Sequence, residues 1–136
     1  MSETSENGAG GPATSFDSLY RPLLRPAIGE IVANERAEGA DAGEQAHAYT
    51  ERGKPDFALA WLLVADLSDE AKRALYAQAH ERRAAYIEQK ARQFDRQFAR
   101  PFPLLFQEAA KDRALARRIR AGQSISPGAG RQLPMR

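Results

Sequence analysis

Residues 68–100 decide the fold, and they read SDEAKRALYAQAHERRAAYIEQKARQFDRQFAR. Ser68 is a residue type that caps helix N-termini, and Asp69 and Glu70 place negative charge in the first turn, where the helix dipole favours it. No glycine or proline follows until Pro101. The stretch therefore predicts one long helix over about residues 69–99, roughly 46 Å in length at about 1.5 Å per residue.

This helix has two different faces. An advance of about 100° per residue places one stripe, mostly apolar, on a single side: Tyr76, His80, Ala84, Ile87, Ala91, Phe94 and Phe98. The opposite side carries Gln78, Arg82, Gln89, Arg92, Arg96 and Arg100. The stripe steps by three and four residues, as in a coiled coil, over about three heptads. We expect it to pack inside a helical bundle, and we assign Phe94, Phe98, Phe102 and Phe106 to the core.

Shorter helices are predicted on both sides of the long one. Upstream, a helix begins near Pro26 after an irregular lead-in, and the capping-box spacing of Asp41 and Glu44 starts a helix over residues 42–52. Residues 57–64 are apolar nearly all round and should form the centre of the core. Downstream, Pro101 and Pro103 end the long helix, and a last helix covers residues 104–120.

These elements predict an all-α protein, a small bundle of four to five helices with one long central helix. We divide the chain into a disordered acidic tail at residues 1–15, a helical domain at 16–122 and a flexible tail at 123–136. The absence of cysteine excludes disulfides and thiolate chemistry. The N-terminus does not resemble a secretory signal, and the longest apolar run, 57–65, is too short to span a bilayer. We expect a cytoplasmic protein without membrane contact.

Charge is unevenly distributed along the chain. Residues 1–70 hold 5 basic and 13 acidic side chains, whereas residues 71–136 hold 15 and 5, so the halves carry −8 and +10. The basic half could bind a nucleic acid or another polyanion. It could equally pack against the acidic half through complementary fields.

The sequence contains few residues or motifs that could support catalysis. The chain has two histidines, no glycine-rich phosphate loop before a helix, and no suggested grouping of serine, histidine and acid. His47 has no metal-ligand spacing around it. We therefore predict no enzyme, no catalytic residue, no cofactor and no metal site.

Two resemblances to known families are short. Arg73 and His80, with six residues between them, are similar to the Arg-x4-6-His pattern of the HEPN ribonucleases, although the polar residue that usually follows the arginine is Ala74. That resemblance implies a helical bundle in which Arg73 and His80 act on RNA. The alternative is that His80 is a hydrogen-bonded member of the apolar stripe. Tyr49, Gly53, Ala58, Leu62 and Ala65 resemble part of one tetratricopeptide repeat, which implies an αα-hairpin.

The candidate binding residues are arginines of the second half. Three lie on the back of the long helix and four on the last helix: Arg92, Arg96, Arg100, Arg113, Arg117, Arg118 and Arg120. Our leading hypothesis is a non-enzymatic adaptor, regulatory or assembly subunit that binds another protein, or a second copy of itself, through its helices. The alternative is a nucleic-acid-associated accessory protein that uses the basic residues. An RNA-cleaving enzyme using Arg73 and His80 is the remote alternative.

Overall fold

The computed structural model describes residues 15–125, and every regular element in that range is helical. In chain order the elements are α1 (Phe16–Tyr20), a 3-10 turn (Arg21–Leu23), α2 (Pro26–Ala37), α3 (Ala42–Glu51), α4 (Pro55–Val64), α5 (Asp69–Phe98) and α6 (Pro103–Arg120). The predicted all-α fold with one long helix is confirmed. Of the tails predicted over 1–15 and 123–136, residues 1–14 and 126–136 lie outside the described residues.

The long helix begins and ends as its sequence predicts. The Ser68 hydroxyl accepts a hydrogen bond from the Ala71 amide at 3.1 Å, which satisfies one of the free N–H groups of the first turn. At the other end Ala99 adopts the left-handed conformation, with φ of 55°, and Pro101 follows. The observed span, Asp69–Phe98, agrees with the predicted one to a single residue.

Helices α3 and α4 form the expected αα-hairpin. The Asp41 carboxylate caps α3 by accepting hydrogen bonds from the amides of Gly43 and Glu44, at 2.9 and 3.3 Å. Gly53 ends the turn with φ of +69°, and Pro55 is the first residue of α4. The capping residue and the turn glycine therefore act where the sequence places them.

The core is centred on α4, as predicted. Leu59, Trp61 and Leu62 are each at most 1% exposed. Against them packs an aromatic group in which the rings of Phe16, Tyr20 and Tyr76 lie 5.0 to 5.9 Å apart. Phe16 and Tyr20 belong to α1, a short helix where the sequence predicted an irregular lead-in. This helix makes six described helices instead of the predicted four to five.

The chain end after α6 packs onto the start of the domain. The sequence assigned residues 123–136 to a flexible tail, yet Ile125 is 5% exposed and belongs to the core. The Tyr20 hydroxyl donates to the Gln123 carbonyl at 2.7 Å. Residues 123–125 thus pack on the domain, because one buried isoleucine outweighs the glycine and serine around it.

Helices α5 and α6 form a long hairpin that the other helices cover over only part of its length. Six alanines of the hairpin are fully buried: Ala77, Ala79, Ala84, Ala91, Ala109 and Ala116. Between Tyr86 and Glu108, however, Ala91 is the sole buried residue. Helix α5 has 30 residues whereas α3 and α4 have 10 each, so α5 is about 30 Å longer than either of these two helices. We name residues 86–108 the hairpin tip.

The assignment of four phenylalanines to the core is wrong for the hairpin tip. Phe98 is 53% and Phe106 is 36% exposed, and Phe94 and Phe102 are half-buried. The apolar stripe of α5 is buried in the core from Tyr76 to Ala84. Beyond Ala84 the stripe continues into the hairpin tip, where, of the described helices, only α6 packs against it. None of the helices in residues 15–125 combines the length and apolar character needed to cross a membrane.

Candidate functional site

The hairpin tip carries a cluster of phenylalanines. The rings of Phe94, Phe98 and Phe102 lie 5.5 to 5.9 Å from one another in tilted and edge-to-face arrangements. These contacts hold the end of α5 against the chain that enters α6. Their outer surface stays open, because Phe98 is 53% exposed and the nearby Leu104 is 72% exposed.

Two clefts border this cluster. One, of about 290 Å³, is lined by Tyr86, Ile87, Phe94 and Leu105, with Lys90 beside them. The other, of about 400 Å³, lies at Phe98, Arg100 and Phe102, where the Arg100 guanidinium is 5.4 Å from the centre of the Phe102 ring. Both clefts present aromatic surface next to a cation.

The seven arginines predicted to bind a partner fall into two groups. Arg92, Arg96 and Arg100 lie in the hairpin tip, are exposed, and form no ion pair with any of the described residues. On α6, Arg117 is exposed and Arg118 donates to the Ser124 carbonyl at 3.1 Å. The remaining two, Arg113 and Arg120, are engaged with carboxylates of α5. The seven residues therefore do not form one surface.

Arg113 and Arg120 connect the two helices of the hairpin. Arg113 donates two hydrogen bonds to Glu88, at 2.6 and 3.2 Å, and Arg120 donates two to Glu81, at 2.7 and 3.2 Å. Hydrogen bonding to Arg113 lowers the pKa of the Glu88 carboxyl below its ordinary value. These bidentate pairs hold α6 against α5 and leave both guanidinium groups less available to a partner.

A second polar feature lies deeper, at the middle of the hairpin. The Asp112 side chain is 3% exposed, and its carboxylate accepts from His80 Nδ1 at 2.7 Å through Oδ1 and from Arg83 Nη1 through Oδ2. His80 is thus the hydrogen-bonded member of the apolar stripe that one hypothesis proposed. Because a carboxylate can only accept, Nδ1 carries the proton and Nε2 is left for another partner.

Sequence reasoning missed Asp112, although a signal was present. The apolar face of α6 contains Leu105, Ala109, Ala116 and Ile119, and Asp112 occupies the position between Ala109 and Ala116 on that face. A carboxylate at a core position needs a buried partner. The partner, His80, lies 32 residues earlier in the chain, beyond the reach of local spacing.

An open cleft of about 440 Å³ adjoins this network. It is lined by residues from the start of α2, the start of α4, and the middle of α5 and α6: Arg25, Ile28, Gly53, Lys54, Pro55, Asp56, Phe57, His80, Arg83, Asp112 and Leu115. Arg73 is not among the lining residues, and its charge acts instead on the Tyr20 phenol, whose pKa is raised by burial and lowered in part by Arg73. RNA cleavage by Arg73 and His80 stays a prediction.

No family model, curated protein or solved structure matches this chain. Within residues 15–125, histidine and carboxylate side chains nowhere gather in a group of three or more that could hold a metal ion.

Proposed function

We propose that this protein is a non-enzymatic adaptor or assembly subunit of the cytoplasm that binds another protein through its hairpin tip. One observation carries the proposal, the set of exposed apolar side chains in residues 86–108. Tyr86 is 44%, Phe98 53%, Leu104 72% and Phe106 36% exposed. Large apolar side chains exposed within one segment of a folded domain are typical of an interaction site, and aromatic residues supply much of the binding energy of such sites.

The chemistry of the tip favours an amphipathic helix with acidic flanks as the partner segment. The clefts at Phe94 and Phe98 can receive apolar side chains that recur every three or four residues, as in other helix-in-groove complexes. Each cleft has one cation in its lining, Lys90 in one and Arg100 in the other, and neither forms an ion pair with the described residues. Carboxylates along the partner helix would complement these cations.

Other occupants fit this surface less well. Two copies joined at these clefts would bring the cations that line them together, and their repulsion would oppose the contact. A nucleic acid would draw on the arginines of α6, but Arg113 and Arg120 are held by Glu88 and Glu81. Homodimerisation and nucleic-acid binding are therefore alternative outcomes of the tests below.

The first test locates contacts in the cells that produce the protein. A photo-crosslinking amino acid replaces Leu104 in the tip or, as a control, Ile31, which is 43% exposed on α2. We expect crosslinks from position 104 to one protein segment that is helical, amphipathic and acidic. Equal crosslinking from position 31, crosslinks to the protein itself, or crosslinks to nucleic acid would each overturn the proposal.

The second test uses a synthetic peptide of the crosslinked segment and measures its affinity by titration calorimetry. We expect Phe98→Ser to weaken binding at least about tenfold, the loss typical of a hot-spot residue, while Ile31→Ser leaves it unchanged. Arg100→Glu should also weaken binding, and more so at low salt, because it reverses the charge that lines the cleft at Phe98. Retention of full affinity in Phe98→Ser would contradict the proposal.

A further inference from the structure

None of the residues that line the cleft beside His80 belongs to the hairpin tip. Its lining comes from four helices, so it exists only when the bundle is assembled. Its volume of about 440 Å³ lies within the range of small-molecule sites in proteins. Part of the lining is apolar, from Ile28, Phe57 and Leu115, and the rest is charged or polar.

The charges of the cleft leave one cation without compensation. Both oxygens of Asp112 are engaged, by His80 and by Arg83. The Asp56 carboxylate lies 3.6 Å from the Arg25 guanidinium and forms an ion pair with it. Lys54 is exposed at the rim and forms no ion pair with the described residues. The cleft therefore holds an available positive charge beside two cations that are already partly neutralised.

Helix α4 begins in this cleft without a side-chain cap. Pro55, its first residue, has no N–H group, and Lys54 makes no capping hydrogen bond. The amides of Asp56 and Phe57 fall in the first turn, where a helix offers them no acceptor. Free amides and the helix dipole at such an end favour an anionic group.

His80 gives an independent indication of a ligand. It is 8% exposed and lines the cleft, and its Nε2 is buried without a hydrogen-bond partner in the described part of the chain. Buried polar atoms nearly always have a partner, since an unmade hydrogen bond costs about 1–3 kcal/mol. A group bound in the cleft would supply the missing one.

We propose that this cleft binds a small molecule through an oxyanion group, either a phosphate or a carboxylate. Lys54 supplies the charge, and the amides of Asp56 and Phe57 supply directed hydrogen bonds. His80 Nε2, the acceptor nitrogen in the tautomer that Asp112 fixes, receives a hydrogen bond from a hydroxyl of the bound molecule. Ile28 and Leu115 contact the apolar part of the molecule.

The experiment titrates the full chain with sodium phosphate, sodium acetate or sodium chloride at matched ionic strength. NMR follows the amide resonances of Asp56 and Phe57 and the imidazole nitrogens of His80. We expect saturable shifts with phosphate or with acetate but not with chloride, and the tighter of the two identifies the oxyanion. Shifts that do not saturate, or that chloride reproduces, would overturn the proposal.

Variants of exposed lysines complete the test. Lys54→Gln should weaken oxyanion binding about tenfold, the loss of one charge-assisted hydrogen bond. Lys111→Gln is the matched control, because Lys111 is exposed on α6 and pairs with Glu108 outside the cleft. Both side chains are exposed, so the fold is retained, and the amide spectrum of each variant checks it. Unchanged affinity in Lys54→Gln would also overturn the proposal.

Discussion

Gly53 satisfies two separate requirements at the turn between α3 and α4. Its φ of +69° lies in the left-handed region, which costs a residue with a side chain about 1–2 kcal/mol. A Cβ at this position would also lie 2.9 Å from the backbone nitrogen of Arg83 and 2.9 Å from the Tyr86 ring. The turn therefore approaches α5 as closely as it does because residue 53 has no side chain.

Replacement of Gly53 by alanine should destabilise the protein by about 2–4 kcal/mol, the sum of backbone strain and a clash with main-chain atoms of α5. Gly122→Ala is the matched control, because its φ is +73° and nothing lies within 4 Å of the added Cβ. That variant should lose only about 1–2 kcal/mol. Urea unfolding measures both values, and equal losses would show that α5 yields to the added methyl group.

At the scale of elements, α5 and α6 approach each other through alanines. Ala91 is completely buried although its neighbours in the hairpin tip are half-buried or exposed. Small residues at this contact let the two helices lie close together where no third helix supports them. The stability of the hairpin tip should therefore depend strongly on the size of the side chain at residue 91, although most of the tip is exposed.

Ala91→Leu should therefore destabilise the protein by about 1–3 kcal/mol, because the larger side chain forces the helices apart. Ala85→Leu adds the same volume at an exposed position of the same helix and should change stability by less than about 0.5 kcal/mol. Denaturant unfolding gives the stabilities, and hydrogen exchange shows where protection is lost. Protection lost uniformly over the protein, instead of first in residues 86–108, would contradict this account of the hairpin.

The Glu88–Arg113 pair gives the hairpin a defined response to acid. The pKa of Glu88 is lowered in the folded protein, chiefly by its hydrogen bond to Arg113, so the pair stabilises the fold at pH values above the unfolded pKa of Glu88. That contribution is lost as the pH falls through the lowered pKa of the folded state. Protonation thus removes the same interaction that a Glu88→Gln substitution removes.

We expect Glu88→Gln to be less stable than the unmodified protein at neutral pH and to approach it in stability as the pH falls below about 4. Urea midpoints measured from pH 7 to about pH 3 test this expectation. In an Arg113→Gln background the effect of Glu88→Gln should lose most of its pH dependence, since the cause of the shift is gone. An unchanged pH dependence in that background would assign the effect to other charges.

At the scale of the whole molecule, the two ends of the described chain meet. Ile125 packs in the same core as Phe16 and Tyr20, and Tyr20 donates to the Gln123 carbonyl. The segment after α6 therefore contributes to the stability of the domain, and the helices alone do not account for the core.

Ile125→Ala should destabilise the protein by about 2–4 kcal/mol through lost burial and the cavity left behind. Ile31→Ala removes the same atoms from a side chain that is 43% exposed and should cost less than about 1 kcal/mol. Thermal and urea unfolding compare the two variants. Similar losses at both positions would mean that residue 125 leaves the core readily in solution.

The charge asymmetry of the chain is resolved mostly within the second half. Among residues 15–125, the ion pair Arg82–Glu51 joins the two halves, whereas Arg113 and Arg120 pair with Glu88 and Glu81 of their own half. Among the described residues, the acidic half and the basic half are therefore joined by one direct ion pair. The cations of the hairpin tip stay available, which is why the proposed partner is acidic.

The sequence by itself determined the helices and most of their ends. Caps such as Ser68 and Asp41, the turn at Gly53 and the prolines act within a few residues, so local spacing predicts them. The apolar stripe likewise predicted which residues of α5 share a face. It also placed His80 on that face, which is the part of the cleft that sequence reasoning anticipated.

Only the tertiary structure decided where that face is covered. Periodicity reports that Phe98 and Tyr76 lie on one side of α5, but whether they are buried depends on which other helices reach them. Tyr76 meets α1, and Phe98 extends past the shorter helices. The pairing of His80 with Asp112 and the burial of Ile125 could not be predicted from the sequence either. Contacts between residues far apart in the chain leave no local pattern in it.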